Sequence, residues 1–131
     1  ALRHVEAQGL SNVRLHIGDA RELLAALPEA SLDRLFVLFP DPWPKARHHK
    51  RRLMQADAVA AMARALKPGG ALRFATDWAD YADWTREQLA AEPRFRLLYE
   101  GTGAPVDHAP TRYQAKGLGD IAPLFFDYER V

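Results

Sequence analysis

The chain contains no cysteine in 131 residues. Disulfides and thiolate metal sites are therefore excluded. It has almost no net charge: 18 Lys and Arg stand against 17 Asp and Glu, leaving +1. The molecule as a whole is not a polycation, so general stickiness for acidic partners is not expected. No apolar run approaches the length of a membrane span, and no charged-then-apolar leader opens the chain. A cytoplasmic protein is the simplest expectation. Internal repeats and low-complexity tracts are also missing. No Gly-x-Gly pattern leads into a helix, since Gly101-Thr102-Gly103 is followed by Ala104-Pro105 and loop. The remaining composition, 48% hydrophobic and 27% charged, is ordinary for a globular chain of at most one domain.

Charge is balanced overall, but positive charge is clustered in one place. Phe39 to Arg52 reads Phe-Pro-Asp-Pro-Trp-Pro-Lys-Ala-Arg-His-His-Lys-Arg-Arg. An apolar run, Leu35 to Phe39, feeds into Asp41, which is held between Pro40 and Pro42. Trp43 and Pro44 follow, then Lys45, Arg47, Lys50, Arg51 and Arg52 with His48 and His49 among them. One acid, one flat aromatic and a local cationic cluster at the mouth of a strand suit a nucleic-acid base and its phosphates. A solvated helix N-terminus is the plain alternative for the cations, but cations at a helix start oppose the macrodipole. Trp43 suits stacking on a base and packing over the proline-rich turn equally well. Adjacent histidines without further ligand spacing do not make a metal site, and no metal is expected.

Strand and helix signals alternate along the chain. Leu2, Val5 and Ala7 give a helical apolar side that Gly9 closes. Val13 to Ile17 alternates as a strand does. Ala20 to Leu27 reads as a helix stopped by Pro28. Asp33 to Phe39 is nearly continuous apolar residue, which predicts a strand covered on both faces. Arg51 to Leu66 reads as a long Ala-rich helix ended by Lys67-Pro68-Gly69-Gly70. Ala71 to Ala75 is a strand, and Asp80 to Ala91 a helix with Tyr81, Trp84 and Leu89 inward. Phe95 to Tyr99 and Leu124 to Tyr128 are further strands, with loop from Gly101 to Pro110. This spacing predicts an α/β fold with mainly parallel strands. Ligands bind beyond the C-terminal strand ends of such sheets. Asp19, Asp41 and Asp77 all fall at those ends. Any one of them alone is readily a helix cap or turn residue; three at equivalent positions point to a site.

These residues resemble the bacterial tRNA (guanine-N7)-methyltransferases. The resemblance runs through Asn12-Val13-Arg14-Leu15, Gly18-Asp19-Ala20 and Ser31-Leu32-Asp33-Arg34. It continues through Phe39 to Lys45, Arg47 to Arg52, Leu66 to Gly70, Phe74 to Trp78 and Thr111-Arg112-Tyr113-Gln114. The Pro-Asp-Pro-Trp segment joined to Arg-His-His-Lys-Arg-Arg is specific, whereas Lys-Pro-Gly-Gly is shared by many methyltransferases. The resemblance implies a Rossmann-like class I methyltransferase sheet, S-adenosyl-L-methionine as cofactor and a variable-loop guanine of tRNA as substrate. By it, Asp19 contacts the adenine end of the cofactor. Asp41 sits beside the methionine end and the target base and is the catalytic candidate. Lys45, Asp77, Thr111, Arg112, Tyr113 and Gln114 face the substrate. Arg47, Lys50, Arg51 and Arg52 then read as phosphate contacts. Gln114 stands where the family usually has Glu, and an amide donates as well as accepts and carries no charge.

The family's glycine-rich loop after the first strand and its acid closing the second have no counterpart here. The expectation is a partial domain over residues 1–131, from the third strand onward, with the first two strands absent, exposed sheet edges and weak cofactor binding or activity. Three other readings compete: methylation of an exocyclic amine, a non-catalytic tRNA-binding fragment or subunit, and a polyproline ligand at Pro40 to Pro44. The apolar strand before the prolines argues against the last. A monomer and a homodimer are both compatible with the sequence.

Overall fold

The computed structural model describes residues 11–105 and 118–131. Three helices and four strands occur among the described residues, in the order α1 (Ala20–Ala26), β1 (Leu32–Leu38), α2 (Ala56–Ala65), β2 (Leu66–Thr76), α3 (Ala79–Ala90), β3 (Phe95–Gly101) and β4 (Leu124–Arg130). A 3-10 segment, Ala46–Arg51, lies between β1 and α2. The strand order is β1-β2-β4-β3. β1 runs parallel to β2, while β4 pairs antiparallel with both β2 and β3. Three strands thus share one direction and the reversed β4 is inserted among them. The expectation of mainly parallel strands holds for direction, but only one neighbouring pair is parallel.

One core unites the helices with the sheet. Leu24 of α1, Val59 and Met62 of α2, and Tyr81 and Leu89 of α3 share a cluster with Leu72, Phe74, Phe126 and Tyr128. Alternation along β2 and β4 turns the intervening residues to the opposite face. There Arg73 and Asp127, register partners, form a two-pronged ion pair at 2.7 and 3.2 Å. Phe39, Ala75 and Phe125 form a second, smaller cluster. α1 is started by Asp19, whose carboxylate accepts the Arg21 N–H at 2.9 Å. Its last carbonyls are met by Arg64 of α2, which reaches Leu27 O at 2.5 Å, as helix ends require. No helix among the described residues is long and apolar enough to cross a membrane.

Four expectations are corrected. Val13 to Ile17 forms no strand, and Ile17 is fully exposed. Alternation supplies a face, but a strand also needs a neighbour for its backbone groups, and none lies there among the described residues. β1 stands at the sheet edge and is not covered on both faces: Phe36 is 47% exposed. The long helix from Arg51 is broken into the 3-10 segment, an irregular stretch at 52–55, and α2. Side-chain bonds hold that stretch out of a helix: the Met54 N–H donates to Tyr81 Oη, and the Gln55 side chain donates to His49 O, while the Gln55 N–H turns back to Leu53 O at 2.8 Å. Finally, β2 begins at Leu66 rather than Ala71. Residues 67–70 bulge out, because Leu66 pairs with Leu32 and Ala71 already pairs with Arg34. Gly70 permits this: a Cβ there would lie 2.8 Å from Lys67 O and 2.9 Å from Asp33 O. The expected helix over the first nine residues lies outside the described residues.

Candidate active site

The site is built where β1 and β2 end side by side. Leu38 pairs with Ala75, and the Phe39 N–H donates to Ala75 O at 2.8 Å. Asp41 lies two residues beyond Phe39, and Asp77 two residues beyond Ala75. Between Phe39 and Trp43 the chain makes a costly turn. Phe39 has φ 53° and Trp43 φ 42°, both left-handed, and neither is glycine. Such conformations cost about 1–3 kcal/mol each and persist only where surroundings fix them. Phe39 is fixed by burial, with its ring edge-on to Phe125 at 6.5 Å. The result presents Asp41, exposed, on a rigid proline-flanked corner.

Two hollows meet at this corner. One, of about 170 Å³, is lined by Asp19, Ala20, Arg21, Asp41, Trp43, Arg51 and Leu53. The other, of about 270 Å³, is lined by Asp41, Pro42, Trp43 and Pro44. Asp41 and Trp43 therefore form the wall between them. Asp19 and Asp41, far apart in sequence, face one hollow. Hydrogen bonding from the Arg21 backbone N–H, and then from its guanidinium, holds the Asp19 carboxyl below its usual 3.8.

Asp77 is at the same rim but is placed differently. It is only 1% exposed. Its carboxylate accepts the Gly119 N–H at 2.9 Å, and its carbonyl accepts the Ile121 N–H at 3.1 Å. Asp120 in turn accepts the Ala79 N–H at 2.9 Å at the start of α3. Asp77 thus latches the segment that leads into β4. Thr111, Arg112, Tyr113 and Gln114 lie outside the described residues.

The cations divide. Lys45, Arg47, Lys50 and Arg51 are exposed beside the corner, with the Arg51 guanidinium 5.2 Å from the Trp43 ring centre. Arg52 is instead 1% exposed, so it is corrected from the phosphate contacts. Its Nε donates to Pro42 O at 2.8 Å and its Nη2 to Asp80 Oδ2 at 2.5 Å. The macrodipole argument for the cluster also falls, because these cations sit on the 3-10 segment and not at the start of α2. Sequence reasoning missed Asp80, Gly119 and Asp120. Gly119-Asp120 carried a turn signal, but nothing local revealed its partner 42 residues away. His48 packs edge-on against Trp43, and His49 against Trp84. No group of His, Asp or Glu suited to a metal ion occurs among the described residues.

A parallel strand pair with acids at its C-terminal rim is the arrangement by which open α/β sheets bind ligands. A family model described as "Putative methyltransferase" matches residues 1–118, and the chain belongs to that family. A tRNA (guanine-N(7)-)-methyltransferase of Caulobacter vibrioides is 59% identical over 99% of this chain. One of Hyphomonas neptunium is 48% identical over 98%. The chain spans 59% and 60% of the lengths of these relatives. A solved S-adenosylmethionine-dependent methyltransferase of Aquifex aeolicus shares the fold, with TM-score 0.63 at 12% identity. That match covers 99% of this chain and 61% of the solved one.

Proposed function

We propose that this chain carries the substrate-facing rim of a methyltransferase that uses S-adenosyl-L-methionine to methylate guanine N7 in the variable loop of tRNA. The observation that carries the reading is the strained corner that sets Asp41 between two hollows beside four exposed cations. The curated relatives, whose names specify this reaction, support it. Such a substrate places the protein in the cytoplasm.

The residues fit part of the cofactor. The Asp19–Asp41 hollow offers two carboxylates, each able to accept from an amino or ammonium group. At about 170 Å³ it is smaller than the roughly 300–1,000 Å³ of whole small-molecule sites, so it houses a part of the ligand. The cofactor supplies an electrophilic methyl group on a sulfonium centre. Guanine N7 is a neutral lone pair on the major-groove edge. In such a transfer the N7–C bond would form as the S–C bond breaks, with the electron pair staying on sulfur. No proton leaves N7, so no general base is needed. Positive charge appears on the purine instead. Asp41 serves by accepting the N–H donors of guanine's Watson–Crick edge and by placing fixed negative charge near the ring. Asp77 serves from beneath, as the anchor of the segment that follows Thr111 to Gln114. Lys45, Arg47, Lys50 and Arg51 hold the phosphates.

The test is transfer of a labelled methyl group by the full chain to an unmodified tRNA transcript, followed by nucleoside analysis. The expected product is 7-methylguanosine. Label on the exocyclic amine contradicts the reading. Tight tRNA binding with no transfer supports a non-catalytic RNA-binding role instead.

A further inference from the structure

Arg52 belongs to the cationic run by sequence but to the interior by structure. It leaves the 3-10 segment and enters the molecule between Tyr81 and Trp84, with its guanidinium carbon 4.9 and 5.1 Å from their ring centres. One edge of the guanidinium grips Pro42 O and another grips Asp80 Oδ2. Pro42 is the residue after Asp41, so the grip lies one peptide from the carboxylate. Asp80 lies in the first turn of α3 and also stands 3.5 Å from His49 Nε2. Arg52 Nη1 is buried with no hydrogen-bond partner among the described residues. Burying a guanidinium with one arm unsatisfied is costly.

The turn it grips does not hold itself. Phe39 and Trp43 on either side are left-handed and disfavoured. On the Phe39 side the sheet and Phe125 fix the backbone. On the Trp43 side the bond from Arg52 holds the Pro42 peptide, while His48 and Arg51 contact only the Trp43 ring. A planar fork can reach Pro42 and Asp80 together; a lysine ammonium carries the same charge without that geometry.

We propose that Arg52 is a positioning residue, which braces the Pro40–Pro42 corner against α3 so that Asp41 is presented in one orientation. It acts through the turn and touches neither RNA nor cofactor. The inference rests on the methyl-transfer reading above for its kinetic consequence, while the brace itself is a property of the fold.

The experiment uses Arg52→Lys and Asp80→Asn in the full chain, with Arg51→Gln for contrast. Steady-state methyl transfer to tRNA is measured at several salt concentrations. Amide resonances of Asp41 and Trp43 are recorded without RNA or cofactor. Arg52→Lys is expected to lower kcat roughly 10- to 100-fold, as a misplaced orienting group does. The KM for tRNA and the salt slope stay as in the parent. Asp80→Asn gives a smaller loss in the same direction, and both variants shift the two amides. Arg51→Gln reduces the salt slope by about one. Parental kcat in Arg52→Lys overturns the proposal, as does a raised KM with a reduced salt slope, the mark of a phosphate contact. If Arg52→Lys fails to fold by circular dichroism, Asp80→Asn decides, since Asp80 is 61% exposed: parental kcat and unshifted amides overturn the brace. A parent that transfers no methyl group refutes the function above, and the amide shifts then decide the brace separately.

Discussion

Replacing Gly119 with alanine should break the latch that Asp77 holds. A Cβ at residue 119 would lie 1.9 Å from the Asp77 carbonyl oxygen and 2.3 Å from its carboxyl carbon. Ordinary heavy-atom contacts need about 3.5 Å. The obstacle includes backbone at the buried end of β2, so no side-chain rotation relieves it. The segment leading to β4 must retreat by roughly an ångström or more. That retreat breaks the Gly119 N–H to Asp77 Oδ2 bond at 2.9 Å and the Ile121 N–H to Asp77 O bond at 3.1 Å. A buried acceptor left unsatisfied costs about 1–3 kcal/mol, more when charged. Two of them give a loss of about 2–6 kcal/mol. Chemical denaturation of the full chain reads this as a lower midpoint at unchanged slope. Gly103→Ala is the control, since its Cβ would meet only the Tyr99 hydroxyl at 3.3 Å. A Gly119→Ala protein within about 0.5 kcal/mol of its parent, the range of neutral surface changes, would falsify the latch.

Asp127→Ala removes the two-pronged ion pair made by Arg73, which is 7% exposed in the middle of β2, and should destabilise by about 1.5–3 kcal/mol, the range of hydrogen bonds to charged groups; an unchanged denaturation midpoint contradicts this. Asp19 is expected to titrate below its ordinary 3.8 in the folded protein. Its folded value is depressed, so its contribution is full above the unfolded value and disappears as pH falls through the folded one. Carboxyl resonances followed by acid titration check this, and a midpoint at or above 3.8 is the opposite result. Lys50→Gln should lower the slope of tRNA affinity against salt by about one, slightly less on single-stranded RNA. An identical slope removes Lys50 from the phosphate contacts.

Local signals in the sequence located most elements within a residue or two. Pro28 does end α1, Tyr81 and Leu89 do turn inward, and the strands beginning at Phe95 and Leu124 start where alternation and aromatic content put them. The errors arose where a long-range partner overrides a local preference. Leu53 to Gln55 looks helical by composition but is held out of a helix by the bond from the Met54 N–H to Tyr81. Val13 to Ile17 has strand alternation and no strand beside it among the described residues. At the site, the Asp41 corner was visible because proline, acid and aromatic are adjacent in the chain. The role of Arg52 was not, because five neighbouring cations look alike until one is found buried against Asp80 and two aromatic rings. The depth of Asp77 was hidden for the same reason, since Gly119 reaches it only through the fold.

The account depends most on Asp41 orienting guanine without removing a proton. The direct measurement is the single-turnover rate of methyl transfer by parent and Asp41→Asn, taken at saturating tRNA across the neutral pH range. The amide keeps the shape and one acceptor but loses the charge. The rate should fall by about two to three powers of ten, the scale of losing one preorganised electrostatic contact, with the same pH dependence as the parent. A variant that keeps near-parental rates contradicts the account, and so does one whose lost activity returns as pH is raised.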